Sequence, residues 1–463
     1  MKSKYFTPIL ISLFSIALTF SFLINNEHAW ISVIAISFLC ISLTILLLFQ
    51  NFIFIILFFI VLNHLAFNEG ILAFKFAIPA TLILLTPLLI FHFKPQNFKP
   101  ALFSIISIPF YYVVIFLIKP FPINYGWVYV LLESLLFFTF VQLFKWNLKN
   151  IMQVVSLHLF FLLAYGVVER IFTDIDRIRG PMKSATAYGA LLVVVWAIWF
   201  SYHLLKKERH IVLLFVGSLI SFLVILWTGT RMALVGIVVA SFCISVIQVL
   251  TSRFTPLVKT TILIFTPFFL FIFFLITWQI VPDDLTIKRS FNMMLSGKID
   301  GSNLGRIIGW IGALEAFSKH PFFGIGNGNF LGFLEDFASQ NGINVEILGT
   351  VLVPHAHNLY LIILSENGLF GFSIILFIFL SVVYNYIRYL KKSKRKEDYC
   401  LLVGLFVLCT LCLFDSMPFY PPTLAWGAWF LGSLLQISFK RDNLDSSDLC
   451  KSTPHINPEF QSV

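Results

Sequence analysis

Residues 210–250 read HIVLLFVGSLISFLVILWTGTRMALVGIVVASFCISVIQVL. Two apolar runs, 210–228 and 232–250, are separated only by a short turn at 229–231. Each run has the length of about 20 residues that a helix needs to cross roughly 30 Å of hydrocarbon. The apolar residues are continuous and do not alternate with polar ones, which favours helices over strands. The stretch therefore predicts two transmembrane helices joined by a tight turn.

The composition extends this pattern to the whole chain. Hydrophobic residues make up 59% of the chain and charged residues only 12%, whereas soluble domains carry about 25% charged residues. Because only helices and closed barrels satisfy the backbone in lipid, we predict an all-α, polytopic membrane helix bundle. The predicted spans, each an apolar run, are 6–24, 30–48, 52–66, 71–92, 101–118, 126–144, 151–170, 184–204, 210–228, 232–250, 257–280, 358–389, 399–416 and 421–437.

The sequence predicts about 12–14 transmembrane helices of the usual length. Twelve passes stay open because 29–66 is split only by Gln50 and Asn51, and because 358–389 is long and interrupted at Asn367-Gly368. The first run is expected to stay in the protein as a helix, since no small-residue cleavage site separates it from the next span.

The basic residues predict the orientation. If Lys2 and Lys4 lie inside, alternation of the spans places further basic groups inside as well, as the positive-inside rule requires. These groups are Lys94/Lys99, Lys145/Lys149, Lys206/Lys207/Arg209, Arg253/Lys259, the cluster at 391–396 and Lys440/Arg441. The net charge of +10 is then explained by cytoplasmic loops, and no nucleic-acid partner is expected.

One outer loop, 281–356, is too long for a simple connector, and long loops often carry function. Asn303 is expected to cap a helix in it, because Ile307, Ile311, Leu314 and Phe317 recur at helical spacing. Such an amphipathic helix would lie on the bilayer surface or cover a cavity. We predict one transmembrane domain over 1–437, which includes this loop, and a disordered cytoplasmic tail over 438–463.

Arginines stand at several outer turns, against the positive-inside trend. Arg231 follows the Thr228-Gly229-Thr230 turn, Arg306 lies in the large loop, and Arg177 and Arg179-Gly180 form another turn. A guanidinium donates two parallel hydrogen bonds to a phosphate and stays charged. Arg231 alone could equally be an interface arginine that reaches lipid headgroups, and Arg306 alone a solvated one. Together they predict an anionic ligand on the outer side.

His357 stands where the loop returns to an apolar span. Histidine takes a proton near neutral pH because its unperturbed pKa is about 6.5. Asn358 and Glu366 are candidates to orient the ring, and His355 is the rival base. His355 and His357 could also be a metal pair, but no third ligand accompanies them at useful spacing, so no metal site is predicted.

Two further patterns bear on cofactors. Asp174-Ile175-Asp176 has the D-x-D form of many sugar transferases, but the predicted topology places it outside, where nucleotide sugars are not expected. We interpret it as a surface turn, although a divalent ion on a pyrophosphate stays an alternative. No G-x-x-x-x-G-K-[ST] loop occurs in the sequence, so ATP is not expected as an energy source. None of the six cysteines lies in the large loop, so a disulfide framework is not expected.

Several motifs together resemble the O-antigen ligase/polymerase superfamily of bacterial membrane glycosyltransferases. His357-Asn358-x9-Gly368-x-x-Gly371 is similar to its H-[NSQ]-x9-G-x-x-[GTY] signature. Gly229-Thr230-Arg231 resembles its S-R turn, with threonine in place of serine. Arg306-x3-Trp310 followed by HPFFGIG at 320–326 resembles its R-x3-W…H-P-x-x-G-x-G loop. Arg179-Gly180 resembles its R-x-G turn, but KSAT at 183–186 replaces the usual asparagine-containing continuation.

The resemblance implies an inverting glycosyltransferase of the bacterial inner membrane, with its active site facing the periplasm. The donor would be a glycan on undecaprenyl diphosphate, and His357 the base that deprotonates the acceptor hydroxyl. Arg231 and Arg306 would bind the diphosphate. Arg179, Thr230, Trp310 and Asn358 are the further substrate-binding candidates, and no cofactor is expected.

O-antigen ligase, with a lipid A-core acceptor, is the leading interpretation. O-antigen polymerase and protein O-oligosaccharyltransferase stay alternatives that use the same chemistry. A transporter is a different class of function and would carry charged residues in mid-membrane near broken helices. In this chain the charges cluster at the predicted outer junctions, and mid-span charges are few, with Lys75 the clearest.

Overall fold

The structure is a computed structural model. It describes residues 141, 146–173, 177–182, 184–206, 210–251, 255–261, 301–342, 355–393, 395–415, 423 and 426–438. Within these ranges the regular structure is helical and includes no strand. Five of the described helices are long and apolar enough to cross a membrane. The predicted all-α, polytopic fold class is therefore confirmed.

Eight helices have defined bounds and are numbered here in chain order. They are α1 (Leu148–Phe172), α2 (Ala185–Leu205), α3 (Ile211–Thr228), α4 (Arg231–Thr251), α5 (Gly301–Lys319), α6 (Phe330–Gln340), α7 (Leu359–Lys392) and α8 (Cys400–Leu411). Short 3₁₀ turns occupy Gly180–Met182 and Lys396–Tyr399. A further helix runs over 426–438.

The membrane-spanning candidates are α1, α2, α3, α4 and α7. Their ends differ from the predicted spans by three residues at most. The predicted spans 6–24, 30–48, 52–66, 71–92 and 101–118 lie outside the described residues, as do nearly all of 126–144 and most of 257–280. The tail beyond residue 438 and the D-x-D turn also lie outside them.

Helix α2 is the centre of the bundle. Its sequence is apolar all round, and a helix of this kind is buried on all sides. Residues 187–199 are all buried in the structure, against α1, α3, α4 and α8. The sequence therefore places α2 at the core, because every face of this helix must find an apolar partner.

Hydrogen bonds tie three chain segments together at one end of this bundle. The Glu169 carboxylate accepts the backbone N–H groups of Arg179 (3.2 Å) and Gly180 (2.7 Å). The Ile178 N–H donates to the Trp227 carbonyl at 3.1 Å. The Thr230 hydroxyl donates to the Ala185 carbonyl at 2.9 Å. The end of α1, the start of α2 and the α3–α4 turn are thus held side by side.

Helices α5 and α6 pack on the first half of α7 and form a second hydrophobic core. The buried face of α5 includes Ile308, Ala313 and Ala316. Ile307, Ile311 and Leu314 are 40%, 50% and 54% exposed. The predicted helix is present, but these three predicted apolar positions lie off the buried face.

The start of α5 differs from the prediction. The helix begins at Gly301, so Asn303 lies inside its first turn and does not cap it. Lys319 is the last residue of α5, and the following loop uses glycines with positive φ at 324, 326 and 328. The predicted end of this helix is therefore confirmed, and only the predicted cap is wrong.

The loop after α5 pairs with a kink in α7. Gly368 interrupts α7 with φ 62° and ψ −170°. Backbone N–H groups of Ile325 and Gly326 donate to carbonyls of α7 at 2.9 Å, and those of Leu369 and Phe370 donate back to carbonyls of the loop at 2.8 and 3.1 Å. The break expected at Asn367-Gly368 is therefore present. The loop after α5 and helix α7 form their backbone hydrogen bonds at this break.

Glycine is required on both sides of this crossing. A Cβ added at Gly324 would overlap the Glu366 carbonyl group, and a Cβ at Gly368 would overlap that of Phe322. Both glycines also have φ above 60°, a conformation that L side chains rarely adopt. The two backbones can approach this closely only because neither residue carries a side chain.

We expect Gly368→Ala to destabilise the protein by about 1–3 kcal/mol from the backbone conformation alone, with the overlap adding to this cost. The measurement is the apparent melting temperature of the purified protein in detergent. Gly332→Ala is the matched control, because Gly332 lies in α6 with open space around its Cα, and alanine is the better helix former by up to about 1 kcal/mol. Equal melting temperatures for the two variants would contradict this account of the crossing.

Candidate functional site

His357 lies in a short, constrained loop before α7. Its φ is 47°, which is uncommon for a residue other than glycine and often marks a functional site. The next residue, Asn358, caps α7 by accepting the N–H groups of Tyr360 and Leu361, both at 3.0 Å. The cap fixes where α7 begins, and His357 is held immediately before it.

A buried carboxylate contacts the His357 ring. The Nδ1 atom of His357 lies 3.0 Å from Oδ1 of Asp415, and the Asp415 side chain is fully buried. An ionised carboxylate accepts a hydrogen bond but cannot donate one, so it favours the tautomer with the proton on Nδ1. The Nε2 lone pair of His357 is then available to take a proton.

Two bonds fix the His357 loop against the end of α8. The Leu359 N–H donates to the Cys412 carbonyl at 2.9 Å, and the Tyr360 hydroxyl donates to the Cys409 carbonyl at 3.0 Å. Asp415 follows α8 by four residues. The distance between His357 and Asp415 is therefore set by backbone packing between two helices.

His355 completes a group of three ionisable side chains. Its Nε2 atom lies 4.0 Å from the same Asp415 oxygen, and its ring centroid is 4.9 Å from that of His357. Burial, assisted by the nearby His357, lowers the pKa of His355 to about 4, although Asp415 opposes the shift. Near neutral pH His355 is thus a neutral imidazole.

The arginines of the outer turns share one electrostatic environment. Arg177 Nε donates to the Thr228 carbonyl at 2.9 Å. The pKa of Arg177 is lowered by burial and by the positive charges of Arg231, Arg179 and Arg306. Arg231, Arg179 and Arg306, from three segments of the chain, therefore all lie close enough to act electrostatically on Arg177. Arg231 is also the first residue of α4, where the helix dipole disfavours a cation and favours an anion.

Helix α5 connects these arginines to the histidines. Gly309, one turn after Arg306, packs on the backbone of Ala356: a Cβ built on Gly309 would lie 3.3 Å from the Ala356 Cα atom. Ala356 stands between His355 and His357. Arg306 is thus within electrostatic range of Arg177 and one helical turn from the histidine loop. The described residues place cations and an imidazole around one region.

Three other residues were predicted to bind substrate, namely Thr230, Arg179 and Trp310, and their contacts within the protein differ. Thr230 is buried and its hydroxyl bonds to the Ala185 carbonyl at 2.9 Å. The backbone N–H of Arg179 bonds to Glu169 at 3.2 Å. Trp310 is half-buried, and its indole N–H has no hydrogen-bond partner among the described residues. Of these three, Trp310 carries a buried indole N–H that the described residues leave without an acceptor.

The structure corrects one expectation about the imidazole. Asn358 and Glu366 were candidates to orient His357, but the Asn358 side chain caps α7, and the Glu366 carboxylate accepts the Gly328 N–H at 3.0 Å. The side chain that bonds to the His357 ring is Asp415. The metal-pair interpretation changes too, because Asp415 supplies the third group that the local sequence lacks.

Sequence reasoning missed Asp415 and gave Arg177 no role of its own. A signal existed for Asp415, which stands near the outer end of the predicted span 399–416, and an acid at such a position is costly unless it is paired. Arg177 was noted as part of an outer turn, but nothing local distinguishes it from Arg179. Its bond to the α3–α4 turn depends on tertiary packing.

One known protein family matches the segment of the chain that contains much of this site. A family model described as O-antigen ligase matches residues 216–376. The matched segment extends from α3 into α7 and includes Arg231, Arg306 and His357. No curated protein matches the chain. Over residues 216–376, the chain is therefore similar to the O-antigen ligase/polymerase superfamily.

Proposed function

We propose that the protein is an O-antigen ligase. It transfers a glycan from undecaprenyl diphosphate to a sugar hydroxyl of lipid A-core, at the periplasmic face of the bacterial inner membrane. The observation that carries this proposal is the packing of α5, through Gly309 one turn after Arg306, on the loop that holds the His357–Asp415 pair. Arg306 also adds, with Arg179 and Arg231, to the positive charge around Arg177. This arrangement pairs a proton acceptor with a binding surface for a diphosphate.

The proposed reaction begins at the acceptor. His357 Nε2 takes the proton of the acceptor hydroxyl while its oxygen attacks the anomeric carbon of the donor. The bond from that carbon to the diphosphate oxygen breaks on the opposite side, so the configuration inverts. The imidazolium that forms is stabilised by the Asp415 carboxylate at 3.0 Å.

The arginines act on the leaving group. Undecaprenyl diphosphate gains negative charge as the sugar departs, and guanidinium groups aimed at its oxygens stabilise that charge. Arg231 and Arg306 are the proposed ligands, Arg179 assists them, and Arg177 adds to the positive field. A diphosphate is already a good leaving group, so neither a nucleotide nor a metal ion is required in principle. Trp310 and α5 would contact the sugars.

The decisive experiment is reconstitution of the purified protein with a lipid-linked glycan and lipid A-core, with and without a chelator. Ligase activity predicts a glycan joined to lipid A-core in both conditions. Growth of the lipid-linked glycan without transfer to the core would instead assign a polymerase. Transfer only to a protein acceptor would assign a protein O-oligosaccharyltransferase, and movement of the donor across the bilayer without transfer would assign a transporter.

We expect His357→Ala to lower transfer by at least about 10²-fold, the usual contribution of a general base, while the protein still inserts in the membrane. The assay is glycan transfer by equal amounts of purified protein. His203→Ala is the control, because His203 lies in the last turn of α2, at the opposite end from the arginine turns. Full transfer by the His357 variant would remove the assigned base.

Asp415→Asn is expected to lower kcat by about 10²-fold or more and to leave the KM for the donor nearly unchanged. An amide can donate to His357 Nδ1, and it would then hold the ring with its proton on Nε2, where the base must be unprotonated. Steady-state kinetics separates the two constants. A variant that weakens donor binding at unchanged kcat would show that Asp415 does not act through the imidazole.

Arg231→Lys should lose most of the transfer activity although the positive charge remains, because an ammonium group cannot form the planar, two-pronged contact with a phosphate. Donor binding and turnover are both measured. Arg388→Lys is the matched control, since Arg388 is exposed and lies near the end of α7 that is opposite to the histidine loop. Normal donor affinity and turnover of the Arg231 variant would contradict diphosphate recognition by this residue.

A further inference from the structure

Three side chains beside the end of α8 have the chemistry of a metal site. His355 Nε2, His357 Nδ1 and a carboxylate oxygen of Asp415 lie within 4.8 Å of one another. Zinc binds imidazole nitrogen and carboxylate oxygen at about 2.0–2.2 Å, so two ligand atoms on one zinc ion stand roughly 3–4 Å apart. The observed separations from Asp415 Oδ1 are 3.0 Å to His357 and 4.0 Å to His355.

We propose that these three side chains bind a zinc ion, and that the bound ion inhibits the enzyme by disabling its base. The binding of zinc is inferred only from the geometry of these three side chains. The inhibition rests on the proposed function, because it requires that His357 Nε2 receive the proton of the acceptor.

The inhibition follows from the two nitrogens of one ring. Without zinc, Asp415 holds the proton of His357 on Nδ1, and Nε2 has a lone pair. Zinc uses the Nδ1 lone pair, so the proton of the neutral ring must then lie on Nε2. A ring in this state can donate a hydrogen bond to the acceptor hydroxyl but cannot remove its proton. The Nδ1–H bond is broken and an Nε2–H bond is formed, so the ring keeps its single proton and the hydrogen bond to Asp415 is replaced by zinc coordination.

The fold holds the segments that carry the three ligands in place before an ion binds. The Asn358 cap and the bond from Leu359 to the Cys412 carbonyl hold the two chain segments in register. His355 and Asp415 are buried, and His357 is partly exposed. Two neutral nitrogens and one carboxylate leave a fourth position for water in a tetrahedral zinc site. Zinc can therefore enter with small movements of side chains and none of the helices.

Cysteines nearby offer a competing zinc site, which the experiment must separate. Cys409 and Cys412 are free thiols on the segment that contacts the histidine loop. Thiolate is the softer ligand and binds zinc well. Cobalt(II), which substitutes for zinc and is coloured, distinguishes the two cases, because only thiolate ligands give a sulfur-to-cobalt charge-transfer band.

The binding experiment titrates the full-length protein in detergent with Co²⁺ and then displaces it with Zn²⁺. One equivalent of tetrahedral Co²⁺ without the sulfur band is expected for the wild type. His355→Phe keeps an aromatic ring but no ligand nitrogen, and Asp415→Asn keeps the volume of the side chain. Each should weaken binding by more than the roughly 10–100-fold that outer-shell partners are worth. His203→Phe is the matched control and should bind like the wild type.

The activity experiment compares glycan transfer with and without Zn²⁺ in each variant and then adds chelator. The measured quantity is the ratio of the two rates, so a change in basal rate does not enter. Wild type and His203→Phe should be inhibited and recover fully with chelator. The zinc concentration for half-inhibition should rise by at least about tenfold in His355→Phe, which retains the base.

The outcomes are distinct. No Co²⁺ binding, a sulfur band, or unchanged binding by both ligand variants would overturn the site. Binding as expected, together with transfer that zinc does not slow, would overturn the inhibition and leave the site. Failure of the proposed function appears separately, as full transfer by His357→Ala in the absence of zinc.

Discussion

The close backbone crossing between the loop after α5 and the kink of α7 is the constraint on which the rest depends. Two glycines at 324 and 368 let the segments exchange four backbone hydrogen bonds. These bonds fix α5 along α7, and α5 carries Arg306 while α7 begins two residues after His357. The position of a cation relative to an imidazole is therefore determined by a contact in which neither residue takes part.

The electrostatics divides the site into two unlike parts. On one side the pKa of Arg177 is lowered by burial and by the positive charges of Arg231, Arg179 and Arg306. On the other side a fully buried carboxylate lies beside two imidazoles. A diphosphate would relieve the first part by neutralising its charge, and a proton arriving at His357 would complete an ion pair in the second. The proposed reaction takes up a proton at His357, beside the Asp415 carboxylate, and releases an anion beside the arginines. Each of these two steps therefore occurs next to groups of the opposite charge.

The sequence predicted what depends on local pattern. Apolar run length located the described spans, the Asn367-Gly368 break predicted the kink, and the glycines after Lys319 predicted the end of α5. It could not predict Asp415 as the partner of His357, because 58 residues separate them and the pairing requires α8 to end beside the start of α7. The cap expected at Asn303 was wrong because α5 begins about one turn earlier. The apolar spacing of Ile307, Ile311 and Leu314 did not identify the buried face of α5, which includes Ile308, Ala313 and Ala316.

Gly189 has a consequence that extends beyond packing. A Cβ built there would stand 2.8 Å from the Thr228 hydroxyl and 3.1 Å from that of Thr230, the two residues that flank the turn before Arg231. A methyl group at this position in α2 would therefore displace the turn and change the direction of the Arg231 guanidinium, although the methyl group would not contact it. If Arg231 binds the donor as proposed, a change at this buried position can alter donor recognition without any change in the residues that contact the donor.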